Sequence, residues 1–108
     1  MLLDLKGRIV KVKIDKKDFY VKEMTAGQAE EYEASLYIIK GKNIEYNTKD
    51  AKSKLILITV CDEHGGLLFK KADLSLIKAL PAHVVNKLFD KATEINSLDV
   101  DVQEEAKN

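Results

Sequence analysis

The sequence predicts a helix-rich α+β domain in which an N-terminal β-hairpin precedes about four α-helices. Alternation of apolar and charged residues in GRIVKVKIDKKDFYVKEM is the pattern of two half-buried strands. In later segments, apolar residues instead recur at helical spacing, and candidate N-cap residues precede them. At 108 residues the chain holds one modest core. We therefore expect a single α+β domain over residues 1–98 and a mobile acidic C-terminal tail over residues 99–108.

The charge composition argues against nucleic-acid binding. Lysine plus arginine and aspartate plus glutamate each number 18, so no overall field attracts a polyanion. One alternative is a small nucleic-acid-binding protein that uses the lysine-rich hairpin, where Phe19 and Tyr20 supply the aromatic rings. Because the net charge is zero, we expect no nucleic-acid partner.

The N-terminal segment and the cysteine content predict the compartment. The segment MLLDLKGRIV is too short and too charged for a signal peptide or a membrane span. Cys61 is the single cysteine, so no intrachain disulfide forms, as is typical of cytosolic proteins. We expect a cytoplasmic protein with no membrane partner.

The first hairpin is predicted to turn near Asp15 to Lys17, with its turn type left open. Ile9, with Val12 or Ile14, is the apolar set expected before the turn. Phe19 and Val21 are the apolar set expected after it.

A capping box predicts the start of the first helix. Thr25 and Gln28, three residues apart, each satisfy a free backbone N–H at a helix start. Ala29, Tyr32 (or Glu33) and Leu36 recur at helical spacing, and Gly41 is expected to close the helix. This prediction places Tyr37, Ile38 and Ile39 on the last turns of the helix.

The segment from Asn47 to Gly66 is ambiguous between helix and strand, because Leu55 to Val60 is a run of leucine and β-branched residues. Asn47 or Thr48 as N-cap, and Asp50 in the first turn, favour a helix that ends near Cys61 to His64.

Two further helices follow. Asp73 is expected to cap LSLIKAL, and Pro81 fits the first turn of PAHVVNKLFDKATEIN. The apolar residues of the final helix lie on one stripe, which we expect to face the core: Val84, Val85, Leu88, Phe89, Ala92 and Ile95.

The segment CDEHGG contains residue types that bind metals or transfer protons. Cys61 and His64 share a helix face at i and i+3, yet a zinc site requires three or four protein ligands. The structural interpretation is a helix end followed by a glycine turn, in which Asp62 and Glu63 hold the loop through backbone hydrogen bonds. We expect no catalytic residue, no metal and no cofactor. The alternative is a small metal- or thiol-dependent enzyme centred on this segment.

The order of segments resembles the tail assembly chaperones of long, flexible-tailed bacteriophages and their prophages. The resemblance runs from Phe19 to Leu98 through FYVKEMTAGQAEEYEASL, NTKDAKSKLILITVCDEHGGLLF and ADLSLIKALPAHVVNKLFDKATEINSL. Its most specific parts are the acidic-glycine turn before Phe69, the Leu-Pro pair and LFDKATEIN. None of these is a catalytic signature.

The resemblance implies a small α+β protein without enzymatic activity in the cytoplasm of a bacterial host. Members of this family are thought to coat the long, largely helical tape measure protein and to help the tail tube protein polymerise around it. We therefore expect the tape measure protein and the tail tube protein as partners, and a homo-oligomer in their absence.

Partner binding of this kind requires apolar surface bordered by charge. The first predicted helix offers Tyr32, Leu36, Tyr37 and Ile39, and the final helix offers Val85 and Phe89. The alternative for each of these residues is that it fills the small core.

Overall fold

The order of helices and strands confirms the predicted α+β class. A computed structural model describes residues 7–47 and 49–96. The described elements, in chain order, are β1 (Ile9–Ile14), β2 (Lys17–Lys22), α1 (Ala26–Ser35), β3 (Tyr37–Lys40), β4 (Asn43–Tyr46), α2 (Ala51–Thr59), β5 (Val60–Cys61), a 3-10 turn (Lys71–Asp73), α3 (Leu74–Lys78) and α4 (Ala82–Ile95).

The predicted N-terminal hairpin is confirmed. β1 and β2 are antiparallel with Ile14 opposite Lys17, so the turn consists of Asp15 and Lys16. Both turn residues have positive φ, 51° and 69°, as a type I′ turn requires. The backbone twist of a type I′ turn matches the right-handed twist of the flanking strands. This match explains why the turn forms although positive φ strains Lys16.

The inward face of β1 differs from the predicted set. Ile14 is buried and Val10 and Val12 pack against the core, whereas Ile9 is 41% exposed. The reason is the register, which places Val10 opposite the fully buried Val21 and therefore turns the odd-numbered residues of β1 outward.

The helix predicted to end near Cys61 to His64 ends earlier, at Thr59. Val60 takes an extended conformation and pairs with Val21, which adds β5 to the first hairpin in the order β1-β2-β5. Burial of Val60 in this pairing favours strand over helix for a β-branched residue. The ambiguous run therefore contains both structures, a helix followed directly by a strand.

The capping box of α1 is confirmed, but the predicted end of the helix is wrong. The Thr25 N–H donates to Gln28 Oε1 at 3.0 Å, and the Gln28 N–H donates to Thr25 Oγ1 at 3.2 Å. The helix ends at Ser35 instead of continuing to Gly41. Residues 37–40 form β3 and pair with β4, because the β-branched pair Ile38-Ile39 meets a complementary strand across a tight turn.

The start of α2 also differs from the prediction. Its N-cap is Asp50, with φ of 63° and no side-chain capping bond. Asn47 instead accepts the Lys49 N–H through Oδ1 at 3.0 Å, which forms a turn before the helix. Thr48, the other predicted cap, lies outside the described residues. Asp50 pairs with Lys78 of α3 at 2.8 Å, and this contact lowers the pKa of its carboxyl group.

Both later helices are present. Asp73 immediately precedes α3, but its carboxylate accepts the Lys70 N–H at 2.8 Å and makes no capping bond to α3. Pro81 precedes α4, and its carbonyl accepts the N–H groups of Val84 at 3.0 Å and Val85 at 3.2 Å. Val85 and Phe89 of the predicted stripe are partly buried, and the remaining members are in the core: Val84, Leu88, Ala92 and Ile95.

The core lies between the β1-β2-β5 sheet and the helices, with α4 against β1 and β2 and also against α2. The C-terminal end of α4 is attached to the sheet by Asn96, whose Oδ1 accepts the Met24 N–H at 2.6 Å. The Arg8 guanidinium donates to the Ile95 carbonyl at 2.5 Å. The predicted domain boundary at residue 98 and the acidic tail lie outside the described residues.

Candidate partner-binding surface

The β3–β4 hairpin contains the largest group of exposed apolar side chains in the described part of the chain. Gly41 and Lys42 form its two-residue turn, and Gly41 has φ of 61°. Glycine at the first turn position with positive φ is typical of a type II′ turn, which joins short antiparallel strands. The register places Tyr37 opposite Tyr46 and Ile39 opposite Ile44.

One face of this hairpin is apolar. Residues directly opposite each other, and residues two apart on a strand, share a face, so Tyr37, Ile39, Ile44 and Tyr46 lie together. We call these four residues the apolar face. Ile39 is 76% exposed and Ile44 71% exposed, while the two tyrosine rings meet edge to face with centroids 5.4 Å apart. Contiguous exposed apolar side chains are typical of interaction sites, which makes the apolar face the candidate surface.

The opposite face of the hairpin is mainly polar. It carries Ile38, Lys40, Asn43 and Glu45, and Lys40 Nζ lies 3.2 Å from Glu45 Oε2. Both charged side chains are more than half exposed, so the ion pair contributes little to stability. With one apolar and one mainly polar face, the hairpin is amphipathic, and all eight of its strand residues are exposed.

Contacts at its base hold the hairpin to α1 and α2. Leu36, which joins α1 to β3 in the chain, is buried, and its carbonyl accepts the Asn47 N–H at 2.5 Å. Lys54 of α2 donates to the Ser35 carbonyl at 3.1 Å. The Tyr32 hydroxyl donates to the Ala51 carbonyl at 3.4 Å, and burial raises the pKa of Tyr32 to about 12. The base is therefore anchored while all eight strand residues are exposed.

The six predicted partner-binding residues fall in three environments. Tyr32 and Leu36 belong to the core, at 9% and 7% exposure. Tyr37 and Ile39 lie on the apolar face.

Val85 and Phe89, the remaining two, are partly buried on α4. Lys52 Nζ lies 5.5 Å from the centroid of the Phe89 ring and 2.8 Å from Asn86 Oδ1. A lysine from α2 therefore covers part of this flank of α4, which is less open than the apolar face.

Sequence reasoning missed Ile44 and Tyr46, the other half of the apolar face. The signal was present in YIIKGKNIEY, where Gly41-Lys42 separates two short runs with apolar residues at alternate positions. The helical interpretation of Tyr37 to Ile39 concealed it, because a helix leaves no partner strand for Ile44.

In the CDEHGG segment, Asp62 organises a turn, as the structural interpretation expected. Its Oδ1 accepts the N–H of His64 at 2.8 Å and of Gly66 at 3.0 Å. The backbone bond from Gly66 is the largest cause that lowers the pKa of the Asp62 carboxyl group. Gly65 has φ of 92°, and a Cβ on Gly66 would come within 2.8 Å of Asp62 Oδ2. Both glycines are therefore required by the turn.

Cys61 and His64 are separated by this turn instead of sharing a helix face. Cys61 is 1% exposed and lies opposite Tyr20 in the sheet, with Leu67 bridged to it. Burial raises the pKa of its thiol, which disfavours the nucleophilic thiolate. The His64 side chain is 84% exposed and lies beside Glu63.

Residues 7–47 and 49–96 contain no group of three or more histidine, cysteine, aspartate or glutamate side chains placed to hold a metal ion. Within the same ranges, none of the helices combines the length and the apolar character that crossing a membrane requires.

Comparison with known proteins gave no match among protein-family models, curated proteins or solved structures.

Proposed function

We propose that this protein is a non-catalytic assembly chaperone of the long-tailed phage type, which binds the tape measure protein through the apolar face of its β3–β4 hairpin. The observation that carries the proposal is the exposure of Tyr37, Ile39, Ile44 and Tyr46 on one side of a hairpin whose base is anchored. The side chains of the apolar face do not pack in the core, so their apolar character is not explained by the stability of the fold.

The dimensions of the apolar face suit a helical partner. The two cross-strand pairs are separated by about 7 Å along the strands. A helix that presents apolar residues at i, i+3, i+4 and i+7 covers about 10 Å of its length with them. One hairpin therefore matches about two turns of an amphipathic helix, and a long helical protein offers such a stripe to many copies in succession.

The proposal also includes the tail tube protein as a partner and the bacterial cytoplasm as the location. A chaperone that covers the tape measure protein acts in the cytoplasm of the bacterial host, before the tail tube protein assembles around its client. Binding and release of this kind require no cofactor.

The geometry favours this function over an enzyme centred on CDEHGG. The Cys61 thiol is buried and held in its neutral form, and the Asp62 carboxylate is occupied by two backbone N–H groups. Metal analysis of the purified protein tests the enzyme directly. Stoichiometric zinc or iron that is lost in Cys61→Ala or His64→Ala would favour the enzyme over the chaperone.

Co-expression with a tape measure segment tests the chaperone. The test variant is Ile44→Asp, which introduces a carboxylate into the apolar face, and the matched control is Asn43→Asp, which places the same charge on the opposite face of the same strand. We expect the wild type and Asn43→Asp to keep the segment soluble and Ile44→Asp to lose most of this effect. Equal solubility with both variants would show that the apolar face does not bind the client.

Two further observations complete the test. The circular dichroism spectrum of Ile44→Asp should match that of the wild type, since Ile44 is 71% exposed and its replacement removes no core contact. Leu36→Asp is unsuitable as a test of binding because Leu36 is buried. In the genome, we expect a tail tube gene upstream and a very long tape measure gene downstream; neighbours from metabolism would contradict the proposal.

A further inference from the structure

The outer edge of β3 presents backbone hydrogen-bonding groups to solvent. Within residues 7–47 and 49–96, β3 has a neighbouring strand on one side only, which is β4. A two-residue turn makes the flanking pair, Lys40 and Asn43, a hydrogen-bonded pair, and such pairs alternate along an antiparallel ladder. Ile38 and Glu45 are therefore the next hydrogen-bonded pair. The N–H and C=O groups of Tyr37 and Ile39 point away from β4.

We propose that a second copy of this chain pairs with this edge, β3 against β3, around a two-fold axis that passes between the two Ile38 residues. The result is a four-stranded antiparallel sheet shared by two copies. The interface is isologous, since the same edge serves both subunits.

The edge is complementary to itself in hydrogen bonding. With Ile38 opposite Ile38 of the second copy, Tyr37 of each copy lies opposite Ile39 of the other. These are the residues whose backbone groups point outward, so each copy donates two N–H groups and accepts two. This register satisfies all the outward groups of Tyr37 and Ile39.

The side chains are also compatible in this register. Tyr37 beside Ile39 of the second copy is an aromatic and β-branched pair on one face, which stabilises antiparallel sheets. β3 carries no carboxylate and a single cation, Lys40. The two Lys40 residues lie about 13 Å apart along the strand direction, beyond the Debye length at physiological salt. Charge repulsion between the two β3 strands therefore does not oppose their pairing.

Pairing also explains how so exposed a hairpin is maintained. An isolated two-stranded hairpin is only marginally stable in water, whereas three or more strands with an apolar face form a stable sheet. The two-fold axis is perpendicular to the sheet, so the apolar faces of both copies lie on the same side and form one surface about 19 Å across its four strands. The pairing itself uses the edge and does not depend on the proposed binding of a client.

Proline substitution on purified protein tests the edge. Ile39→Pro removes one outward N–H from β3, and the matched control Ile44→Pro removes the corresponding outward N–H from β4. Neither change removes a bond between β3 and β4, and each deletes one isoleucine from the apolar face. We expect sedimentation equilibrium to show dimers for the wild type and for Ile44→Pro, and at least about a tenfold weaker dimer for Ile39→Pro.

Three outcomes of this experiment would overturn the proposal. They are a wild type that stays monomeric up to millimolar concentration, an Ile39→Pro variant that dimerises as well as the wild type, and equal weakening by the two prolines. The last result would show that copies associate through the apolar face and not through the edge of β3. Because no client is present, these outcomes leave the chaperone test untouched.

Cysteine cross-linking tests the register separately. Opposite residues in a non-hydrogen-bonded antiparallel pair have Cα atoms about 4.5 Å apart, within the range of a disulfide. We expect Ile38→Cys to form a disulfide-linked dimer on mild oxidation. The control Lys40→Cys should stay monomeric on the same non-reducing gel, because its partner is about 13 Å away. Cross-linking of Lys40→Cys alone would overturn the register, and the wild type controls for Cys61, which is buried.

Discussion

The two hairpins of this protein have the same architecture and opposite environments. β1–β2 and β3–β4 are both antiparallel pairs joined by two-residue turns. The first is covered by α4 and extended by β5, so that Val21 is fully buried. In the second, all eight strand residues are exposed, and no helix within residues 7–47 and 49–96 buries its apolar face. The comparison shows that alternating apolar residues lead to a buried face only where a third element supplies the other half of the core.

The largest expected difference between the hairpins is in the free energy of unfolding that is lost when an isoleucine near each turn is truncated. Ile14→Ala should lower the free energy of unfolding by about 3 kcal/mol, because Ile14 is 1% exposed and its truncation leaves a cavity. Ile39→Ala should change it by less than about 0.5 kcal/mol, because Ile39 is 76% exposed. Urea denaturation at a concentration that keeps the protein monomeric measures both. Equal losses would show that the second hairpin is part of the cooperative core.

The turns provide a smaller contrast. Lys16 has φ of 69°, so Lys16→Gly should relieve strain and raise the free energy of unfolding by about 0.5 to 1 kcal/mol after the added flexibility of the unfolded chain is subtracted. Gly41→Ala introduces strain at φ of 61° but should change global stability by less than about 0.5 kcal/mol, because β3–β4 can open locally.

Hydrogen exchange separates local from global effects in these turn variants. In Gly41→Ala, the amides of β3 and β4 should lose protection while those of β1 and β2 retain it. Loss of protection in both hairpins would contradict the independence of the second one.

The smallest expected effect is the pH dependence of the first turn. Asp15 Oδ2 lies 2.5 Å from His83 Nε2, and this hydrogen bond lowers the pKa of Asp15 below its usual 3.8. Because the folded pKa lies below the unfolded one, the contribution is complete well above pH 3.8 and is lost as the pH falls through the folded pKa. NMR titration of the Asp15 carboxyl should give a higher pKa in His83→Ala than in the wild type, because the hydrogen bond with His83 is the largest cause of the lowering. An unchanged pKa in this variant would show that His83 is not the cause.

Tertiary structure reassigned the residues of the candidate site. Tyr32 and Leu36 became core residues because α1 packs against α2, while Ile44 and Tyr46 joined Tyr37 and Ile39 through strand pairing. Periodicity indicates which residues are apolar on one side of an element, but it does not indicate whether another element covers that side. Contacts between residues far apart in the sequence determine which apolar residues of an element remain exposed.

Features that depend on neighbours within one turn or one strand can be predicted from the sequence alone. The Thr25 and Gln28 capping box, the alternation in the first hairpin and the stripe of α4 are local, since each arises from residues two to four positions apart. Whether the β-branched runs are helix or strand depends on tertiary contacts. Val60 is a strand residue because Val21 is beside it, and Ile39 is a strand residue because Ile44 is beside it. The conformation of such runs depends on partner strands, and partner strands are brought together only by the fold.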